Sequence, residues 1–355
     1  MGQFLDWFWN PEFWLPPGMK WTDLRSTDEI SYPDPADVYY TVLYALVLIA
    51  IRYLVERLIF NPLGQSFGLK AHSALSAPED NPILETAYKT KGRGQLSHQD
   101  IEALAKRTDL KVRQIERWFR KRSRLDRASN FTKFSESGWR CTCYVFSVLV
   151  GLCTLWEKPY FWDFSKCWYN FPHHSIPFDL KAYYLFEFSM YWSLLITISM
   201  DVKRKDFWEM FAHHVVTLTL MALGWFVNLT RMACIILLLH DTSDIFLEAA
   251  KMGTYVKKKT FADVTFSLFA IVWIITRLWI FPFYIAHSSM IEAPKIIPMF
   301  PAYYVFNGMV AFLIGLHVFW TYFIFKVIRK ALASGEVTDT RSSSESSMAE
   351  SEEDG

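Results

Sequence analysis

Two adjacent histidines and two aspartates stand inside long apolar stretches of the sequence, where titratable side chains are rare. His213 and His214 lie in one such stretch, and Asp241 and Asp244 lie in the next. An ionisable group at membrane depth is costly, so it normally faces a protein interior or a wet cavity and marks function. A histidine beside a carboxylate is suited to proton transfer, because the carboxylate fixes the tautomer and the ring takes up a proton near neutral pH.

The two pairs are predicted to lie at one depth. If the two stretches are antiparallel helices, the histidines lie about 11 to 12 Å and the aspartates about 9 to 14 Å from the cytosolic face. Consecutive helical residues point about 100° apart, so the two imidazoles must have different roles. We expect His213 to be the nucleophile or general base and His214 its partner or an oxyanion donor. Asp241 and Asp244 would orient the rings.

Other interpretations of these residues compete with an active site. A lone membrane histidine is more often an interhelical hydrogen-bonding group, but two histidines level with two aspartates favour catalysis. Histidines and carboxylates also bind metals. Adjacent histidines rarely converge on one ion, since i, i+4 spacing is the usual geometry, so no metal is predicted. Four further polar residues either line the same cavity or bond between helices: Glu187, Arg277, Asn307 and His317.

The composition places these residues in a membrane protein. Of the 355 residues, 52% are hydrophobic and 17% are aromatic. The apolar residues cluster in stretches long enough to cross a hydrocarbon core of about 30 Å, which excludes a soluble cytosolic protein. The predicted spans are 38–60, 139–156, 182–200, 207–226, 231–249, 261–286 and 303–328.

Lysine and arginine are concentrated in alternate loops, although the net charge is only +1. Positively charged loops stay cytosolic, so we predict a lumenal N-terminus and a cytosolic C-terminus. Two basic clusters then flank the cytosolic mouth of the histidine and aspartate helices: Lys203, Arg204 and Lys205, and Lys257, Lys258 and Lys259. Such a rim suits a substrate with a phosphate-rich head, although positive-inside topology alone also places lysines there.

The chain divides into five predicted segments: a lumenal aromatic interfacial segment (1–37), a first transmembrane helix (38–60), a cytosolic helical insert (61–138, core about 71–128), the main membrane domain (139–330) and a tail (331–355). The tail is rich in serine and acidic residues, so it is predicted to be disordered. Ser342, Ser347 and Ser351 each precede an acidic residue by three positions. This pattern suits acidophilic kinases, but a plain solubilising tail explains it equally well.

The insert contains a short run that resembles a homeodomain recognition helix. Residues 110–127 read LKVRQIERWFRKRSRLDR, with the Trp118-Phe119-x-x-Arg122 core of such helices. The position of the adenine-reading Asn of DNA-binding homeodomains is Lys121, which cannot make that bidentate contact. We therefore do not expect sequence-specific DNA binding, and a surface for anionic ligands, a dimer contact or a structural cap is favoured.

The membrane region from about 139 to 330 resembles the TLC family, specifically the ceramide synthases. The resemblance is carried by DVKRKDF at 201–207, the histidine pair, and HDTSD at 240–244, which are similar to the Lag motif. It implies an all-α polytopic membrane protein with about seven transmembrane helices, six of them enclosing a TLC-type chamber, plus the homeodomain-like insert. It also implies a location in the endoplasmic reticulum membrane.

The resemblance further implies transfer of a fatty acyl group from acyl-coenzyme A to the amino group of a sphingoid base. Acyl-coenzyme A would be a co-substrate, and no cofactor is expected. Membrane lipids, and a homodimer or heterodimer with related synthases, are further partners that it suggests. In this family the lumenal link before the last span, here 287–301, is implicated in acyl-length choice. The alternatives are a non-enzymatic TLC-type protein that binds or moves lipid and a membrane-tethered DNA-binding regulator.

Overall fold

The computed structural model describes residues 6–70, 78–91, 97–126, 129–202 and 205–334. These residues form helices and connecting loops, and no strand occurs in the described ranges. The tail serines, Lys203 and Arg204 lie outside the described residues, so the predictions for them stay open. The all-helical class that the family resemblance implies is confirmed.

Ten longer helices carry the fold. In chain order they are α1 (Asp37–Val55), α2 (Pro82–Lys91), α3 (His98–Thr108), α4 (Val112–Asp126), α5 (Asn130–Leu155), α6 (Phe178–Thr197), α7 (Phe207–Phe226), α8 (Thr230–Tyr255), α9 (Lys259–Trp273) and α10 (Pro301–Ser334). Helices α5 to α8 and α10 pack around one large apolar core, and α1 lies against α6 on the outside. Helix α9 packs against α8, and its Phe269 and Trp273 form a second cluster with Trp320. The side chains of α1 are largely exposed in the isolated chain, as lipid-facing apolar residues are.

Four of the described helical segments are long and apolar enough to cross a membrane: Asp37–Ser66, Asn130–Leu155, Lys259–Ile296 and Pro301–Ala333. The other three predicted spans coincide with α6, α7 and α8. The protein is therefore a multi-pass membrane protein. The exact number of seven crossings stays a prediction.

Two helices of the membrane region extend well beyond their predicted bounds. Helix α5 begins at Asn130 because the Ser129 side chain accepts a hydrogen bond from the Thr132 backbone N–H, which caps the helix start. The chain after α9 continues as π-helix over Ile274–Ala286. Pro282 lies inside that segment and has no backbone N–H, which disfavours regular α-helix there. Sequence periodicity shows neither feature, since both depend on local hydrogen bonding.

The predicted lumenal link at 287–301 is mostly helical. Ser288–Glu292 continues the π-helical segment, and the short helix Ala293–Ile296 follows it. Phe300, just before α10, is buried in the main core. The connection is consequently a packed element of the bundle, at the end that is predicted to be lumenal.

The N-terminal segment packs onto the end of the bundle that is predicted to be lumenal. Trp14 and Leu15 belong to the main core. The Trp9 ring meets the Phe226 ring with centroids 5.0 Å apart, and the Trp225 indole N–H donates to the Asp34 carbonyl at 2.8 Å. The aromatic residues that the sequence places at the bilayer interface therefore also cover the end of α7.

The insert folds around its own small core. Trp118 and Phe119 pack there, as the sequence predicts, and the core also contains Leu84, Leu104 and Ile115. The start of α3 is fixed by a capping box: Ser97 Oγ accepts from the Asp100 N–H at 3.2 Å, and the Asp100 carboxylate accepts from the Ser97 N–H at 3.0 Å. The three helices α2, α3 and α4 contact one another, as in the homeodomain-like arrangement that the sequence suggests.

Candidate active site

Helix α7 holds both predicted histidines inside the bundle. The side chains of His213 and His214 are buried, at 8% and 6% exposure. Because consecutive positions diverge around a helix, the rings have different neighbours. His213 packs edge to face on Trp320 with centroids 5.4 Å apart, and His214 packs on Tyr191 with centroids 6.0 Å apart. The two rings therefore have different environments, and a difference in their roles stays a prediction.

Two cavities meet at this helix. A polar vestibule lies toward the predicted cytosolic side, and an apolar cavity lies toward the lumenal side. Their empty volumes, counted with their open mouths, are about 1010 and 800 Å³, a size suited to small-molecule binding. His213 lines both cavities and is the one described residue that does so.

The apolar cavity is lined almost entirely by hydrocarbon. Helices α7, α8 and α10 supply most of the wall, and Trp168, Tyr191, Ile285 and Ser289 complete it. The polar side chains that reach it are few: Tyr191, His213, Thr217, His240 and Ser289. A surface of this composition favours an alkyl chain over a polar ligand, because burying unpaired polar groups costs free energy.

The vestibule carries charges of both signs. Arg140 pairs with Asp201 at 3.2 Å, and Arg277 pairs with Asp244 at 3.0 Å. A third ion pair joins Lys251 to Glu248 at 2.5 Å. Since these cations each have an acidic partner, the vestibule is polar but its paired charges balance. A neutral, hydrogen-bonding arm of a ligand fits such a lining better than a polyanion does.

The two predicted aspartates do not share one environment. Asp244 lines the vestibule with both histidines and is held by Arg277. Asp241 is fully buried beside α5 and α6, where its carboxylate accepts hydrogen bonds from Ser147 at 2.5 Å and Tyr191 at 3.3 Å. Neither aspartate is hydrogen-bonded to an imidazole among the described residues. The direct orientation of a ring by an aspartate therefore stays a prediction.

The described lysines of the two predicted basic clusters lie outside the vestibule wall. Lys205, Lys257, Lys258 and Lys259 are exposed and do not line either cavity. The cations that do line the vestibule are Arg140, Lys251 and Arg277. The described part of the predicted clusters therefore does not form the wall of either cavity, and a rim around the mouth stays a prediction.

Several residues of the site were not predicted from sequence. Tyr191 and Trp320 contact the histidine rings, Ser147 bonds to Asp241, and Arg140 lines the vestibule. Tyr191 lies one helical turn after Glu187, so an i, i+4 comparison could have indicated a shared face. Within the described ranges, no group of three His, Cys, Asp or Glu side chains converges as metal ligands.

Comparison with known proteins identifies close relatives of this chain. A TLC domain family model matches residues 133–326. The chain is 38% identical to ceramide synthase 5 of Homo sapiens over 352 residues, 97% of this chain and 88% of that protein. It is 36% identical to ceramide synthase 3 of Mus musculus over 342 residues, 96% and 88% of the two chains. It is 37% identical to ceramide synthase 4 of Homo sapiens over 348 residues, 98% and 88% of the two chains.

Proposed function

The chain belongs to the ceramide synthases of the TLC-domain family, and we propose that His213 is the residue at which it transfers a fatty acyl group from acyl-coenzyme A to a sphingoid base. The product would be ceramide or dihydroceramide. The observation that carries this assignment is the position of His213 on the wall of both cavities. The homology supports the reaction, and the geometry supports the choice of residue.

The reacting carbonyl of acyl-coenzyme A has an alkyl tail on one side and a long polar arm on the other. The tail favours the apolar cavity, because each buried CH₂ gains about 0.8 kcal/mol. The polar arm favours the vestibule, where ion pairs and water satisfy its hydrogen bonds. The carbonyl must then lie at the boundary, where His213 is placed.

The phosphates of coenzyme A are proposed to stay at the cytosolic rim. The cations inside the vestibule are paired with Asp201, Asp244 and Glu248, so a phosphate would have to displace a carboxylate there. The lysines of the rim are exposed, so a phosphate can reach them from water without entering the vestibule. Phosphate contact at the rim, with the uncharged arm crossing the vestibule, agrees with both observations.

His213 would act as the nucleophile. Its Nδ1 is buried and has no hydrogen-bond partner among the described residues, so Nε2 would be the nitrogen that attacks. Attack on the thioester carbon forms an acyl-imidazole and breaks the C–S bond, and the imidazole proton leaves with the coenzyme A thiol. Attack by the amine then forms the amide and returns a proton to the ring. Dividing the reaction into two steps lets coenzyme A leave before or as the sphingoid base arrives.

A non-enzymatic lipid carrier is not adopted as the function. It would need the apolar cavity alone, and a buried histidine pair at the head of a charged vestibule would be costly without a role. Residence in the endoplasmic reticulum membrane, a lumenal N-terminus, a cytosolic C-terminus and dimerisation with the same or a related synthase are parts of the proposal.

An assay of purified protein tests the function. With acyl-coenzyme A and sphinganine, wild type should form N-acyl sphinganine, and His213→Ala should lose at least about 10³-fold in kcat, as removal of a nucleophile does. His98→Ala is the matched control, because His98 is 76% exposed in the insert. Equal activity of wild type and His213→Ala would contradict the assignment.

A further inference from the structure

A pair of carboxyl groups lies in the core of the bundle, outside both cavities. Glu187 of α6 and Asp241 of α8 are joined by the hydroxyl of Ser147 of α5, and all three side chains are 0% exposed. We call Glu187 and Asp241, with the bridging Ser147, the acid pair. The proposed acyl transfer leaves it without a role.

The hydrogen bonds of the acid pair require one shared proton. Ser147 Oγ is in contact with Glu187 Oε1 and, at 2.5 Å, with Asp241 Oδ2. A hydroxyl has one hydrogen and donates it to one oxygen, so the other contact needs a proton on a carboxyl. Glu187 Oε2 has no partner among the described residues, whereas Asp241 accepts from both Ser147 and Tyr191. Glu187 is therefore the acid and Asp241 the carboxylate.

The surroundings do not neutralise the remaining charge. No Lys, Arg or His of the described chain lies within salt-bridge distance of either carboxyl, and Arg277 is paired with Asp244 instead. The titratable side chains that face the acid pair are Cys143 and Tyr144 of α5, Tyr183 and Tyr191 of α6, Cys234 and Asp244 of α8, and Arg277. The pair thus carries one proton and one negative charge, and it can accept a second proton.

Tyr191 connects the acid pair to the reaction chamber. Its hydroxyl donates to Asp241 Oδ1 at 3.3 Å, and the residue also lines the apolar cavity. Its ring packs against His214, with centroids 6.0 Å apart. When the tyrosine oxygen accepts a proton from the cavity, the tyrosine's own hydroxyl proton can move to Asp241.

We propose that the acid pair, through the Tyr191 hydroxyl, takes up the proton that a sphingoid ammonium group must lose before it becomes an amide. This inference rests on the proposed acyl transfer. A long-chain amine resembles a lysine side chain, whose pKa is about 10.4, so it arrives as the ammonium ion. The ammonium nitrogen has three protons and the amide keeps one.

The two protons that leave are both accounted for. One goes to the imidazole that loses its acyl group, or to the thiolate if transfer is direct. The other moves to the Tyr191 oxygen while the tyrosine proton moves to Asp241, which takes the acid pair from one proton to two. Water removes that proton after the product leaves. Glu187 and Asp241 are positioning residues in this scheme, since they act through Tyr191.

Infrared difference spectroscopy tests the shared proton without turnover. At neutral pH, wild type should show a protonated-carboxyl C=O band that shifts on exchange into D₂O. Glu187→Gln should remove that band. Glu157→Gln, which changes an exposed carboxylate at the lumenal end, and Tyr191→Phe should keep it. A wild-type spectrum that does not differ from that of Glu187→Gln would overturn the shared proton.

The pH dependence of kcat/KM for sphinganine tests the uptake. Glu187→Gln and Tyr191→Phe should lower this constant by about 10²-fold at neutral pH, a typical contribution of acid–base catalysis. As the pH is raised, kcat/KM of both variants should increase by up to about tenfold per pH unit, because the fraction of neutral amine rises by that factor. Profiles parallel to wild type in both variants would mean that the cluster is only structural. A wild type that makes no amide would contradict the proposed function alone, because the infrared band needs no substrate.

Discussion

The imidazole of His213 meets the indole of Trp320 edge to face, with ring centroids 5.4 Å apart and ring planes at 88°. Trp320 is in turn held by its indole N–H, which donates to the Asp206 carboxylate at 3.3 Å. Asp206 immediately precedes α7, the helix that presents the histidine. Trp320 therefore couples α10 to the start of α7 and limits how far the His213 ring can move toward the vestibule.

Trp320 is predicted to position His213. Trp320→Phe keeps an aromatic wall and should lower kcat only a few-fold, whereas Trp320→Ala should lower it by about 10²-fold, as a misplacement of about 1 Å does. Trp320→Ala also removes a buried ring and should destabilise the protein by about 3–5 kcal/mol. Steady-state rates and thermal unfolding in detergent measure both effects. Trp162→Ala, at a 64% exposed position, is the control, and an equal loss of activity there would contradict the assignment.

The lysine rim is predicted to affect one substrate only. Changing Lys205, Lys257, Lys258 and Lys259 together to Gln should raise the KM for acyl-coenzyme A several-fold and leave that for sphinganine unchanged, because phosphate binding is lost equally in ground and transition states. The control changes Lys20 and Lys295, which lie on the predicted lumenal side. If both KM values rise together, the rim is not a phosphate site.

The sequence predicted the positions of the helices well, because apolar runs of this length form membrane-spanning helices in a bilayer. Helix α7 has the predicted bounds. The partner of Asp241 could not be predicted in the same way. Equal depth does not specify rotation about the helix axis, and the structure turns Asp241 toward Ser147 on α5 rather than toward α7. The ion pairs of the vestibule likewise join helices distant in sequence.

His174 is predicted to make the folded protein sensitive to mild acid. It lies in the loop before α6, where burial lowers its pKa to about 3. Its Nε2–H donates to the Asn228 carbonyl at 3.1 Å, while Nδ1 has no partner among the described residues, so a second proton would be unpaired. The pKa of His174 is lower in the folded protein than in the unfolded chain, where it is about 6.5. Its contribution to folding stability is therefore complete above pH 6.5 and is lost as the pH falls toward 3.

The size of this effect follows from linkage. Between pH 7.5 and pH 5, wild type should lose about 2 kcal/mol of stability through His174. His174→Asn should lack that part of the acid sensitivity, and the exposed neighbour change His173→Asn should retain it. Thermal unfolding at the two pH values measures the difference. Identical slopes for the two variants would show that His174 is not the responsible group.

Gly138 is predicted to fix the contact between α5 and the π-helical segment Glu56–Phe60, which continues α1. A Cβ added at this position would collide with the Phe60 ring, at the end of the first membrane helix. Gly138→Ala should destabilise the protein by about 1–3 kcal/mol, in spite of the higher helix propensity of alanine. Gly308 in α10 has open space around it, so Gly308→Ala should be neutral or stabilising by up to about 1 kcal/mol. Equal unfolding temperatures for the two variants would contradict this contact.

The acyl-enzyme at His213 is the central claim, and mass spectrometry after mixing with acyl-coenzyme A alone tests it most directly. Without sphingoid base, wild type should release at most one equivalent of coenzyme A and gain one acyl mass on the peptide that contains His213 and His214. His213→Ala should show neither change, and His98→Ala should show both. A wild type that shows no release and no adduct at saturating acyl-coenzyme A, yet makes ceramide once sphinganine is added, would contradict the account.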